Sequence, residues 1–171
     1  MISRNDLLEE LKLIDSHLNR KMELIAVGGT AMTLLNLKES TKDVDFCTDT
    51  KEDETILRKA ISEVGGEFRI DIFKEGYIFS VQLPEDYAKK SKQIEGNFKH
   101  LSLKTLHPVD IVMTKIDRLS ARDQDDIEAI IKSKRIRKEA LKKRFKEVAT
   151  SIPGRQSNFE YNFNYIIKNF F

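Results

Sequence analysis

The chain has 171 residues, of which 40% are hydrophobic and 34% are charged, with a formal net charge of +2. This length and composition suit one globular domain and exclude a disordered chain. The single cysteine, Cys47, excludes an intramolecular disulfide and a zinc site built from several cysteines. No apolar run approaches the roughly 20 residues of a membrane-spanning helix, and the first residues lack the apolar segment of a signal peptide. We therefore expect a cytoplasmic protein.

The first hundred residues alternate between helical and extended patterns. Leucine and isoleucine at helical spacing predict a helix over residues 3–19, which Ser3 and Asp6 can cap. Two glycines, Gly65 and Gly66, mark the end of a later helix. The further elements predicted in this region are strands at residues 22–27, 43–48, 67–73 and 77–83, a possible fifth strand at 98–103, and helices at 30–38 and 51–64.

From Pro108 onward the pattern is helical. Pro108 suits a first helical turn, Asp123 can cap a second helix, and residues 135–149 predict a third helix. Residues 151–158 break the helical pattern. Residues 159–171 alternate in the manner of a strand, but their aromatic side chains also share one helical face, and we favour a helix that packs on the core.

These elements divide the chain into two regions. Residues 1–105 alternate strands and helices and predict an α/β core. Residues 106–171 predict a helical region packed on that core. The fold class expected from the sequence is therefore α/β with a helical C-terminal half.

Two aspartates, Asp43 and Asp45, alternate with the apolar residues Val44 and Phe46. On a strand, residues i and i+2 face the same side about 6.5 to 7 Å apart, whereas on a helix they lie on nearly opposite sides. Two carboxylates this close favour a divalent cation, and ligands that are all oxygen favour Mg²⁺ or Mn²⁺ over zinc. Alternatively, both acids are turn residues that bind backbone N–H groups.

A third carboxylate, Asp71, stands between Ile70 and Ile72 in a predicted strand. If this strand pairs beside the strand that carries Asp45, the three acids converge. Three carboxylates suit a two-metal site, whose ions lie about 3.5–4 Å apart and bracket a transferring phosphoryl group. By itself, Asp71 is equally explained as an exposed strand residue.

A glycine pair, Gly28-Gly29, follows the first predicted strand and precedes a helix. Without a side chain, the backbone there can approach a phosphate closely, and Thr30 can add a hydroxyl. The spacing matches neither of the two common glycine-rich nucleotide loops. Without the neighbouring aspartates the pair would be explained as a plain turn.

Basic residues follow in the helical half. Residues 132–146 contain nine Lys or Arg and one Glu, which suits a polyanion such as RNA or a nucleotide phosphate, although most such runs are solvated helix faces. Lys115, Arg118 and Arg122 fall at spacings of three and four, as on any amphipathic surface helix. Asp123 is explained as a helix cap.

Residues 24–46 read LIAVGGTAMTLLNLKESTKDVDF and resemble the polymerase-beta-like nucleotidyltransferase superfamily. In that superfamily a strand, Gly-Gly or Gly-Ser and a short helix precede Asp-x-Asp on the next strand. Asp71 in RIDI is similar to its third acid. The sequence is most similar to minimal prokaryotic nucleotidyltransferase-like proteins, which include toxins of abortive-infection type toxin–antitoxin pairs. The resemblance covers roughly residues 22–131.

The resemblance implies a small mixed sheet flanked by helices, and transfer of NMP from an NTP with Mg²⁺ or Mn²⁺. It implies that Asp43 and Asp45 bind both metals, and that Asp71 binds one and helps to deprotonate the attacking hydroxyl. Many members carry serine where this chain has Gly29. The residues implied to contact the triphosphate or nucleotide are Gly28, Gly29, Thr30, Lys115 and Arg118.

Alternative functions follow from these residues. The first is a nucleotidyltransferase that modifies a macromolecule, such as a tRNA end or a protein hydroxyl, with residues 132–146 as the acceptor surface and a role as a toxin–antitoxin component. The second is a non-catalytic module of the same fold, either an antitoxin-like partner or a nucleotide sensor. A third is a helical interaction protein whose acids are structural.

Overall fold

A computed structural model describes residues 1–149, 154 and 156–171, and these residues form eight helices and nine strands. The helices are α1 (Arg4–Ser16), α2 (Gly28–Leu34), α3 (Lys51–Val64), α4 (Tyr87–Lys90), α5 (Pro108–Ile116), α6 (Ala121–Lys134), α7 (Lys138–Ala149) and α8 (Gln156–Phe170). The strands are β1 (Ile2–Ser3), β2 (Met22–Ala26), β3 (Ser40–Thr41), β4 (Val44–Thr48), β5 (Ile70–Lys74), β6 (Tyr77–Ile78), β7 (Val81–Gln82), β8 (Lys92–Gln93) and β9 (Leu101–Thr105).

Seven strands form one mixed sheet in the order β7-β6-β5-β4-β2-β9-β8. β2 pairs antiparallel with β4 and parallel with β9, and β4 pairs parallel with β5. The end of β2 that leads into Gly28 therefore lies at the same edge of the sheet as the beginnings of β4 and β5. β1 and β3 form a separate antiparallel pair. The expected mixed sheet with flanking helices and a helical C-terminal half is confirmed.

The core joins residues from both halves of the chain. Buried apolar side chains of the sheet and of α5, α6, α7 and α8 belong to one hydrophobic cluster. α5 is buried along its whole length and packs against α2, α6, α7 and α8. Helix α5 thereby connects the sheet to the helical half. The boundary between residues 105 and 106 stays a prediction. Among the described residues, no helix has the length and apolar character needed to cross a membrane.

Several local predictions are confirmed. Ser3 and Asp6 form a capping box at the start of α1. The tail is a helix, α8, and the ring of Phe163 stacks on that of Phe145 with centroids 3.9 Å apart. Phe159 is fully buried. The aromatic stripe of the tail therefore belongs to the core, as expected.

Other boundaries differ from the prediction. The strand predicted over residues 77–83 is a hairpin, because Phe79 and Ser80 have positive φ angles of 49° and 72° and form a two-residue turn between β6 and β7. The helix predicted over residues 30–38 begins at Gly28 and ends at Leu34.

Helix caps and boundaries in the helical half also differ from the prediction. Ser120, and not Asp123, is the N-cap of α6, since Asp123 is the third residue of the helix and pairs with Ser120 in a capping box. The third predicted helix begins at Lys138 because Arg135 adopts a left-handed conformation that ends α6. The predicted break over residues 151–158 lies largely outside the described residues.

Candidate active site

A cavity of about 380 Å³ lies at the sheet edge where β2 ends and β4 and β5 begin. It brings together the predicted site residues except Thr30, although these come from distant parts of the sequence. The predicted residues that line it are Gly28, Gly29, Asp43, Asp45, Asp71, Lys115 and Arg118.

The strand register brings the acids to this cavity. Asp45 of β4 is the direct partner of Asp71 on the parallel strand β5, so their backbones are one strand spacing apart, about 4.8 Å. Asp43 precedes β4 by one residue and is exposed. Since neighbouring residues in register point to the same face, Asp45 and Asp71 share a face of the sheet.

The carboxyl group of Asp45 has a strongly raised pKa. Only 7% of the residue is exposed. Burial and the negative charges of Asp43 and Asp71 raise the pKa of Asp45 to about 6, although the positive charges of Lys115 and Arg118 offset part of the increase. The repulsion among the three acids is what a divalent cation would relieve.

The chemistry of these donors fits Mg²⁺ or Mn²⁺, because carboxylate oxygens are the ligands that these ions prefer. The side chains are not gathered around a common point, however: among the described residues, no group of three acidic, histidine or cysteine side chains is close enough to hold a metal. Asp71 is 46% exposed, and its Oδ1 accepts hydrogen bonds from Arg69 at 3.2 and 3.3 Å. A metal that binds Oδ1 of Asp71 would have to displace Arg69, whereas Oδ2 accepts no hydrogen bond from Arg69.

Thr30 has a different position from the one that the sequence suggested. It is fully buried, and its hydroxyl donates to the backbone carbonyl of Asp43 at 3.2 Å and accepts from the backbone N–H of Asp45 at 2.9 Å. Its side chain does not line the cavity. Thr30 therefore fixes the backbone that carries the two acids.

The glycine pair is explained by close neighbours. A Cβ atom on Gly28, whose φ is +54°, would lie 3.0 Å from the ring of Phe79. A Cβ atom on Gly29 would lie 2.6 Å from the hydroxyl of Thr41, which donates to the carbonyl of Asp43. In this chain the hydroxyl of Thr41 thus occupies space that a side chain at position 29 would need.

Another wall of the cavity is a chain of alternating charges. The Lys115 ammonium, on a residue only 5% exposed, binds Asp126 at 2.8 Å and Asp123 at 3.2 Å. Arg118 donates two hydrogen bonds to Asp123, at 2.7 and 2.8 Å, and Lys38 binds Asp126 at 2.6 Å. The carboxylates thereby hold the three cations in place.

Asp123 anchors this wall. Burial alone would raise its pKa, but hydrogen bonds from Arg118 and Ser120 and the charge of Lys115 lower the pKa well below its usual range. Asp123 is therefore ionised at neutral pH, and its negative charge sets the position of Arg118.

The surface-helix explanation of the basic stripe is wrong. α5 ends at Ile116 and α6 begins at Ala121, so Lys115, Arg118 and Arg122 do not share one helix. They nevertheless line one cavity. The sequence also missed Lys38 and Asp126 as partners, since their contact depends on the packing of distant segments.

A mixed sheet with Asp-x-Asp at the start of one strand, an aspartate in register on the next strand and a glycine pair on the same cavity is the arrangement expected of a nucleotidyltransferase. A family model described as "Nucleotidyltransferase of unknown function (DUF6036)" matches residues 5–170. The match covers nearly the whole chain, and the chain belongs to this family. No curated protein and no solved structure matches it significantly.

The raised pKa of Asp45 predicts an effect on stability. Because the native state binds this proton more tightly than the unfolded state, stability falls as the pH rises from about 4 to about 6. Asp45→Asn should therefore increase the free energy of unfolding of the metal-free protein by up to about 3 kcal/mol at neutral pH, and the gain should shrink toward acidic pH. Urea unfolding in the presence of a chelator measures both quantities.

The matched control is Asp125→Asn, an exposed acid on α6, which should change stability little. A loss of stability in Asp45→Asn, or a gain that does not depend on pH, would contradict the assignment of Asp45 as a buried and repelled carboxylate.

The contact between Gly29 and Thr41 predicts a coupled pair. Gly29→Ala should destabilise the protein by about 1–3 kcal/mol because the new methyl group meets the Thr41 hydroxyl. Thr41→Ala should remove that clash, so the double variant should be more stable than the sum of the single effects implies. A double-mutant cycle by urea unfolding measures the coupling, and strictly additive effects would refute it.

Proposed function

We propose that this protein is a divalent-metal-dependent nucleotidyltransferase of the polymerase-beta-like type, which transfers NMP from an NTP to a macromolecular acceptor. The observation that carries the proposal is the register of Asp45 with Asp71 beside Asp43, in one cavity with Lys115 and Arg118. The family match supports the general activity.

In this proposal Asp43, Asp45 and Asp71 hold Mg²⁺ or Mn²⁺. When bound, the metal would neutralise the carboxylates and the phosphate oxygens and polarise the α-phosphate. The triphosphate would lie against Gly28 and Gly29, where close neighbours leave no room for side chains at either position.

Lys115 and Arg118 would face the nucleotide, through its phosphates or its base, from the wall that carries the alternating charges. The carboxylates of Asp123 and Asp126 hold both cations in position before any ligand enters, which is the kind of preorganisation that stabilises developing charge. Thr30 would act as a positioning residue through the backbone of Asp43 and Asp45, instead of contacting phosphate as the resemblance implied.

The proposed reaction forms one bond, breaks one bond and transfers one proton. The acceptor hydroxyl oxygen forms a bond to the α-phosphorus of the NTP, the bond from that phosphorus to the bridging oxygen breaks, and pyrophosphate leaves. The hydroxyl proton passes to Asp71, whose Oδ2 is not engaged by Arg69. Positioning and charge neutralisation would supply most of the rate enhancement.

The activity is tested by incubating the protein with each labelled NTP, Mg²⁺ and either total RNA or total protein. We expect incorporation of label into one acceptor class, and a decrease of about 100-fold or more for Asp45→Asn, because this change removes a metal-binding charge. Since Asp45→Asn should be more stable than the original protein, loss of activity cannot be attributed to unfolding.

Asp125→Asn serves again as the control and should retain incorporation. Absence of incorporation with every NTP and both acceptor classes would refute catalysis and favour a non-catalytic module of the same fold. A role in a toxin–antitoxin pair rests on the sequence resemblance alone and stays a prediction.

For the acceptor we propose RNA, bound by basic residues around α7. A second cavity, of about 440 Å³, is lined there by Lys89, Lys92 and Lys143 together with His107. In the described part of the chain, these three lysines have no hydrogen-bonded or ion-paired carboxylate. Their charges are therefore available to a polyanion.

The proposed surface differs from the basic run of residues 132–146, because it includes Lys89 and Lys92 from outside the run and excludes Arg144. Arg144, within residues 132–146, is only 4% exposed and is engaged by Asp110, Asp86 and Glu147. It is a structural residue that ties α7 to the beginning of α5. The proposed surface consists of the exposed lysines around it.

The two cavities lie at opposite ends of α5. Val109 and Asp110 line the lysine-rich cavity, and Lys115 lines the acidic one. Lys115 follows Asp110 by five positions in the helix, a rise of about 7.5 Å along the helix axis. A strand of RNA bound in one cavity would thus have its end within reach of the other.

Replacing two of these lysines should change the salt dependence of RNA binding. For the double variant Lys92→Gln and Lys143→Gln, we expect weaker binding of a single-stranded oligoribonucleotide and a slope of log K against log salt that is shallower by about 1.4. Fluorescence anisotropy at several salt concentrations measures both. The control, Lys12→Gln with Lys59→Gln, removes the same charge from α1 and α3. Equal effects of the two double variants, or binding insensitive to salt, would refute this surface.

A further inference from the structure

The hairpin turn between β6 and β7 places an aromatic ring in the acidic cavity. Phe79 and Ser80 both have positive φ angles, as a two-residue type I′ turn requires. Such turns favour Asn and Gly, and a bulky residue with positive φ is a conformational outlier. Phe79 nevertheless occupies the first position of the turn and lines the cavity. Backbone strain of this kind is concentrated at functional sites.

Neighbouring side chains fix the orientation of this ring. Phe73 meets Phe79 edge to face, with centroids 4.7 Å apart and an interplanar angle of 64°. On another side, the ring edge of Phe79 lies so close to Gly28 that a Cβ atom there would be only 3.0 Å away. The ring is therefore held between β5 and the glycine pair, next to the acids.

A guanidinium lies over the same ring. The Cζ atom of Arg118 is 6.0 Å from the centroid of Phe79, while Asp123 holds the guanidinium by two hydrogen bonds. The Arg118 side chain is 64% exposed, so it does not close the cavity. A planar group stacked between two partners needs about 3.5 Å on each of its two faces. It would therefore fit between the ring and the guanidinium if their separation increased by about 1 Å.

We propose that Phe79 and Arg118 form a subsite that stacks a nucleobase. This inference rests on the proposed function and extends it, since it assigns the place of the base next to the triphosphate. An aromatic ring on one side and a guanidinium on the other bind the two faces of any base. The subsite contributes stacking and no hydrogen-bond readout, so it accepts all four bases and favours the larger purines.

The competing explanation is that Phe79 only fills space, since it packs against the hydrophobic core. Phe79→Leu separates the two explanations, because leucine keeps the apolar bulk and meets the same backbone constraint but has no aromatic face. Phe79→Tyr keeps the face. The matched control is Tyr77→Leu, which removes an aromatic residue that is 55% exposed on the same hairpin and does not line the cavity.

Binding is measured by calorimetry with Mg²⁺ and each of ATP, GTP, CTP and UTP, and with inorganic tripolyphosphate as the probe without a base. We expect Phe79→Leu to weaken NTP binding by about 5-fold to 100-fold, with the larger losses for ATP and GTP. Tripolyphosphate binding should not change. Phe79→Tyr and Tyr77→Leu should bind NTP as the original protein does.

Binding of an oligoribonucleotide by the same variants shows whether the stacked base belongs to the NTP or to the acceptor. Loss in the NTP arm assigns the subsite to the donor nucleotide, and loss confined to the oligoribonucleotide arm assigns it to the terminal base of the acceptor. If Phe79→Leu weakens neither, or weakens tripolyphosphate binding to the same extent as NTP binding, the subsite is refuted while the proposed function stands. If the original protein binds neither NTP nor tripolyphosphate, the proposed function itself fails.

Discussion

The pairing of β4 with β5 is the constraint on which the candidate site depends. Its register sets Asp45 directly beside Asp71, and the hydroxyl of Thr30 bridges the backbone of Asp43 and Asp45, which fixes the backbone that carries both acids. A shift of one residue in this register would move every side chain of β5 to the other face and remove Asp71 from the cavity. The acidic character of the cavity therefore follows from backbone geometry that the core enforces.

Close packing around the glycine pair follows from the same geometry. Gly28 and Gly29 begin α2 against Phe79 and Thr41, and neither position has room for a side chain. The pair lines the cavity and has close neighbours on both sides. Small residues here allow the placement of these two neighbours, and in the proposed function they would also allow a phosphate to approach the backbone.

The sequence predicted the acids because their signal is local: an aspartate between β-branched or aromatic neighbours on a strand is visible within three residues. It could not predict that Phe79 and Ser80 form a turn, since neither is a residue that favours positive φ. The ion pair between Lys38 and Asp126 was also hidden, because only the packing of distant segments joins them. The role of Thr30 was misassigned because sequence spacing does not tell whether a hydroxyl faces the cavity or the backbone behind it.

The electrostatics of the two walls explain why a ligand of mixed charge fits the cavity. Lys115 and Arg118 lie near enough to Asp45 to lower its pKa, yet the pKa remains raised because burial and the other acids outweigh them. Both cations are also engaged by Asp123 and Asp126, and they offset only part of the effect of burial and of the other acids on Asp45. In the proposed function, a cation that enters the cavity would neutralise Asp45. The wall of Lys38, Lys115 and Arg118 carries one more positive than negative charge, which would attract an anion. A metal-bound triphosphate would bring both charges in one ligand, and this charge pattern supports the proposal of a nucleotide over a simple cation or a simple anion.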